Sequence, residues 1–83
     1  MPPKFKVGGV GYFYNGAGYF FDGKRDAIFR GTIERVLNQP QKDRIVYVLQ
    51  VIIEGQAKEH NRIWVDERDL MPIEEATARR LRL

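Results

Sequence analysis

Gly18-Tyr19-Phe20-Phe21-Asp22-Gly23-Lys24 matches the spacing G-x-x-x-x-G-K, in which loop amides and a lysine cradle phosphate groups. The match stops at Arg25, which stands where a magnesium-coordinating Ser or Thr is required, and the next segment reads as a strand instead of a helix. A glycine-containing surface loop is expected there. Gly9-Val10-Gly11 starts a dinucleotide fingerprint but lacks its third glycine, in an 83-residue chain too short for that fold. His60 is the single histidine, and serine and cysteine are absent. That count excludes Ser-His-Asp and Cys-His nucleophiles, disulfides, cysteine zinc sites and multi-histidine metal sites within one chain. His60 lies in a polar segment and reads as a solvated side chain. Asp66, Glu67 and Asp69 could supply a general base, but three acids around Arg68 in one turn read as a capping and salt-bridge cluster. No catalytic residue, cofactor or metal is expected, and the chain reads as a non-enzymatic binding module.

The residues that favour binding are aromatic. Phe5, Tyr12, Phe13, Tyr14, Tyr19, Phe20, Phe21 and Phe29 all fall in the first 29 positions. A core this small cannot enclose them all, so Phe5, Tyr12 and one of Phe29 or Tyr14 are expected inside, with Phe13 alternating outward. Tyr19, Phe20 and Phe21 sit in the first loop beside Lys24 and Arg25, where rigid rings supply contact area at low entropic cost. The expected contact surface is Phe13, Tyr19, Phe20, Phe21, Lys24, Arg25, Arg30 and Trp64. A protein partner or self-association, giving a homo-oligomer, is favoured. DNA or RNA is the alternative, with rings stacking on bases and Lys4, Lys6, Lys24, Arg25 and Arg30 meeting phosphates. The net charge of +3 is modest, and its excess falls in the first thirty residues.

Positioning these residues falls to short strands. With 43% hydrophobic and 30% charged residues the composition is that of a globular domain, and there is room for one. The longest apolar run, Ile45 to Ile53, is interrupted by Gln50 and falls short of the roughly 20 residues of a membrane span. The amino terminus lacks an apolar signal region, and with no cysteine a cytoplasmic location is expected. Period-two spacing predicts a first strand over Phe5 to Tyr14, bulged at Gly8-Gly9, and a second over Ile28 to Leu37. Gly31, inside the second strand, marks a bend or a close backbone approach. After a polar turn, Ile45 to Ile53 is apolar on both faces, which calls for cover beyond one core: the C-terminal helix or a neighbouring subunit. Arg62 to Val65 forms a fourth strand, Asp66 to Asp69 a tight turn, and Leu70-Met71 a last strand ended by Pro72. Pro72 to Leu83 then reads as a helix, with Glu74 and Glu75 first and Arg79, Arg80 and Arg82 last, as its dipole favours.

The segments Lys6-Val7-Gly8-Gly9-Val10, Phe29-Arg30-Gly31-Thr32-Ile33 and Trp64 to Pro72 resemble the start, the strand-two glycine and the turn before the last strand of Src-homology-3-like small barrels, the group that includes Tudor and KOW modules. The resemblance implies an all-β fold: a single five-stranded barrel over residues 5–73, between a disordered tail at 1–4 and a short helical tail at 74–83. It implies no one function. The Ala-Leu-Tyr-Asp-Tyr signature of signalling members is missing. Plasmid-encoded type II dihydrofolate reductases are similar in the aromatic-x-Gly-x-Ile segment and build an enzymatic pore as tetramers, which makes such an enzyme a remote alternative. The Gln-Ile-Tyr run that lines their pore is replaced here by Ile63-Trp64-Val65.

Overall fold

Strict alternation of Ile45, Tyr47, Leu49 and Val51 sets one face of a central strand, and the neighbouring strands align their apolar positions with it. The computed structural model describes residues 2–15, 27–51 and 62–80. These comprise β1 (Val10–Tyr14), β2 (Ile28–Gln39), β3 (Arg44–Val51), β4 (Arg62–Asp66), β5 (Leu70–Met71) and one helix, α1 (Ile73–Arg80). The strands form one antiparallel sheet in the order β4-β3-β2-β1-β5. A 3₁₀ turn at Pro40–Lys42 joins β2 to β3, and another at Glu67–Asp69 joins β4 to β5. Among the described residues, no helix is long and apolar enough to cross a membrane.

The sheet is not closed into a barrel. Both residues of β5 pair with β1, Leu70 with Phe13 and Met71 with Tyr12, and no ladder joins β5 to β4. The sheet still curls enough for both edges to share one core: Ile63 and Val65 from β4 and Leu70 from β5 pack with Phe13, Ile33, Tyr47, Leu49 and Val51. Close approach on this concave face depends on Gly11 and Gly31, which stand opposite each other. A Cβ at Gly11 would come within 2.6 Å of the Leu70 side chain, and one at Gly31 within 3.0 Å of Leu49 Cβ. The close approach expected at Gly31 is thus present.

The first strand is shorter than its alternation implies. Residues Lys6 to Gly9 form a turn, closed by the Gly9 N–H donating to the Lys6 carbonyl at 3.0 Å, and Gly8 takes φ +88°. A positive φ at the third position suits a type II turn and glycine. The bulge lies in β2 instead, where register shifts between Ile33 and Arg35. The extra residue, Glu34, lets Arg35 stand opposite Val48 on the convex face and turns Val36 toward Tyr47 on the concave one.

The helix covers a different strand from the one expected. Only Pro72 separates β5 from α1, so the helix folds back where β5 lies, over β1. Its buried Ala76 packs with Tyr12 and Met71, and Tyr14 and Ile28 join at the margin. Ile73 stays 55% exposed. The convex residues of β3, Val46 and Val48, are nonetheless buried; they stand in register between Leu37 and Asp66 and between Arg35 and Trp64. Long flanking side chains lying along the pleat shield such residues from water.

Candidate functional site

The convex face of the sheet gathers the exposed chemistry. Because Ile63 and Val65 point into the core, Arg62, Trp64 and Asp66 point out, and Trp64 remains 57% exposed. The same alternation, carried through the bulge, exposes Arg30 and Arg35 on β2. α1 adds two guanidinium groups: Arg79 lies 4.7 Å above the Tyr14 ring, and Arg80 lies 5.6 Å above Tyr12 and donates to the Ile28 carbonyl at 3.4 Å. Arg30 stands opposite the same Tyr12 in the β1–β2 register.

Two acids answer these cations on the strands. Glu34 Oε2 accepts from Arg62 Nε at 2.9 Å, and Asp66 Oδ1 accepts from Arg44 Nε at 2.6 Å. Arg30, Arg35, Arg79 and Arg80 have no carboxylate at salt-bridge distance among the described residues. Glu74 and Glu75 are exposed in the first turn of α1. The positive excess expected at the amino end is therefore rearranged by folding: arginines from β2 and α1, far apart in sequence, meet on one face.

Of the expected contact residues, Arg30 and Trp64 are brought to this face. Phe13 is not; it is fully buried, stacked on Phe29 with ring centroids 5.9 Å apart. Across the Lys6–Gly9 turn the alternation keeps its phase, with no bulge to shift it: Phe5 and Phe13 both pack on the concave core, while Tyr12 and Tyr14 turn to the helix. Tyr19, Phe20, Phe21, Lys24 and Arg25 lie outside the described residues, as do His60 and Leu81.

One cluster lies outside the sequence expectations. Tyr47, fully buried, donates its hydroxyl to Glu67 Oε2 at 2.6 Å and accepts the Phe5 N–H at 3.2 Å, while the Lys4 N–H donates to the same Glu67 oxygen at 3.1 Å. The Phe5 ring meets the Tyr47 ring edge-on at 5.4 Å. Burial, then the hydrogen bond to Glu67, pushes the Tyr47 phenol up to about 12. Burial acts to raise the Glu67 carboxyl, but the hydrogen bonds from Tyr47 and Lys4, with the Lys4 charge, outweigh it and hold the group below its ordinary value. The only sequence signal is a tyrosine at a core position, whose hydroxyl needs a partner.

Of the three acids of the β4–β5 turn, Asp66 and Asp69 flank Arg68, while Glu67 is held by Tyr47. Asp66 Oδ2 lies 3.9 Å from Arg68, Asp69 lies 4.0 Å from it, and Asp66 makes no side-chain cap to the turn. An open groove of about 690 Å³ runs along Lys42, Asp43, Arg44, Asp66, Glu67 and Arg68, with three acids and three bases in balance. Among the described residues, no three His, Cys, Asp or Glu side chains converge on a metal position. No protein-family model, curated protein or solved structure matches the chain.

Proposed function

We propose that this protein is a non-enzymatic binding module that holds a single-stranded nucleic acid against the convex face of its sheet. The observation that carries the reading is that exposed Trp64 shares this face with Arg30, Arg35, Arg79 and Arg80, none of which has a described carboxylate partner. An indole offers a stacking surface to any base, and guanidinium groups pair with phosphate oxygens. The division of labour matters because a net charge of +3 is too small to grip a polyanion at physiological salt without stacking. The strand order, with a 3₁₀ turn before the last strand, supports reading the sheet as an opened Src-homology-3-like barrel.

The test is fluorescence anisotropy of labelled single-stranded RNA and DNA titrated with protein at several salt concentrations. Binding should weaken steeply with salt and quench Trp64, the sole tryptophan. The double substitution Arg30→Ala plus Arg35→Ala should flatten the slope of log K against log salt by about 1.4, or about 0.7 per phosphate contact on a single strand. Absence of binding at low salt would end this reading. A protein partner is the second reading, favoured by the outer edge of β4, which nothing among the described residues pairs with.

A further inference from the structure

We infer that β4 is a self-pairing edge, and that the partner it fits is the β4 of a second copy of this chain. Strand order makes β4 an edge, and among the described residues nothing pairs with its outer side. Edge strands of soluble domains are ordinarily blunted by charged side chains, proline, a bulge or a covering element. The run Arg62-Ile63-Trp64-Val65-Asp66 has no proline, its ladder with β3 is regular from end to end, and its two charges are of opposite sign at opposite ends, so in a self-pair they attract instead of repelling.

A second copy is the occupant because the strand is complementary to its own reverse. Antiparallel pairing about a two-fold axis through Trp64 sets Trp64 against the partner's Trp64, Ile63 against the partner's Val65, and Arg62 against the partner's Asp66. Each of those pairings is favourable on a sheet: ring on ring, β-branched on β-branched, cation on anion. Shifting the register by two residues would lose the tryptophan pair and both Arg62–Asp66 pairs, so the match also selects a register. The charges remain able to respond. Arg62 uses Nε for Glu34, and its two terminal nitrogens make no hydrogen bond among the described residues; Asp66 accepts at 2.6 Å through Oδ1, while its Oδ2 has Arg68 only at 3.9 Å.

Alternation settles the faces as well. Arg62, Trp64 and Asp66 lie on the convex face, and Ile63 and Val65 on the concave one. The dimer would therefore be one continuous sheet running through both copies, with two adjoining cores, and its paired indoles would sit at the centre of a doubled convex face. A contact of one five-residue strand with its mate lies at the small end of specific interfaces, so it is weak and reversible. Self-pairing goes beyond nucleic-acid binding and does not depend on it, since every measurement below is made without nucleic acid.

The experiment measures solution mass by sedimentation equilibrium from micromolar to millimolar protein, with Trp64 emission followed over the same range. Mass should rise from monomer to dimer and stop there, and emission should shift to shorter wavelength in step. Arg62→Asp should leave a monomer, because aspartates then oppose each other at both ends of the strand pair. The double substitution Arg62→Asp plus Asp66→Arg should restore the dimer. It also sets an aspartate beside Glu34 and an arginine beside Arg44, so the intramolecular pairs are worsened and cannot be what recovers the mass. Circular dichroism checks that each variant keeps its sheet. A wild-type monomer throughout the range, assembly beyond a dimer, or a double variant no more dimeric than Arg62→Asp would overturn the inference.

Discussion

Replacing Tyr47 by Phe keeps the ring, its edge-on contact with Phe5 and its place in the core, and removes a single oxygen. That oxygen donates to the Glu67 carboxylate at 2.6 Å and accepts the Phe5 N–H at 3.2 Å. A hydrogen bond to a charged group contributes about 1.5–3 kcal/mol and a neutral one about 0.5–1.5 kcal/mol. Glu67 and Phe5 are half-buried, so water replaces part of what is lost and the lower ends apply, giving a penalty of about 2 kcal/mol. An unfolding entropy of about 2.1 cal/mol/K per residue, over 83 residues, is about 0.17 kcal/mol/K, so the midpoint should fall by about 11 °C. The penalty also carries a pH signature. Glu67 has its pKa depressed by folding, so its contribution is present above the unfolded value of about 4.3 and is lost as pH falls through the lower folded value. Thermal scans of both proteins by circular dichroism should therefore show the full gap at neutral pH, narrowing as the medium is made more acidic than about pH 4. A gap of equal size at both ends of that range, or one below about 2 °C at neutral pH, would refute the account of the Tyr47–Glu67 pair.

The alkaline limb runs the other way: a phenol raised to about 12 contributes stability that is complete below the unfolded value of about 10 and is lost between the two. Phenolate absorbance should show one of the four tyrosines ionising together with unfolding. Phe13→Ala should cost about 3–5 kcal/mol in urea denaturation, as a buried ring does; a change below about 0.5 kcal/mol would return Phe13 to the surface. Gly8→Ala should cost about 1–2 kcal/mol through the backbone alone, since no atom lies within 4 Å of the added Cβ but φ is +88°. An unchanged midpoint in that variant would show that the Lys6–Gly9 turn is not held in the left-handed region.

How far the sequence can be read varies with the kind of signal. β5 is recoverable to the residue because Pro72 ends it and the charged turn precedes it, and the start of β3 to within one residue because its alternation is long. Phe13 is misplaced when Gly8-Gly9 is read as a bulge that shifts the alternation; Phe5 and Phe13 keep one phase across the turn and both pack on the concave core, while α1 buries Tyr12 on the other face. The bulge at Glu34 leaves only a spacing of three between Ile33 and Val36, which a strand pattern by itself does not interpret. Helix placement depends on linker length, and a single intervening proline carries that information. Arg30 and Trp64 are legible as contact candidates from type and position, whereas Arg35, Arg79 and Arg80 join them only through register and helix docking, which are tertiary facts.

β1 is covered on both sides, and its covers come from the opposite end of the chain. Its concave residue Phe13 meets Leu70, and its convex residue Tyr12 meets Met71 and Ala76, all more than fifty positions downstream. As a ribosome extrudes this domain, β1 emerges before every element that covers it and is the last of the five strands to be finished. β2 and β3 can zip into a hairpin early, but Tyr12 keeps its convex side wet until α1 clears the exit tunnel. Deleting α1 would thus uncover the convex side of β1, and the resulting product should be recognised by chaperones through that strand.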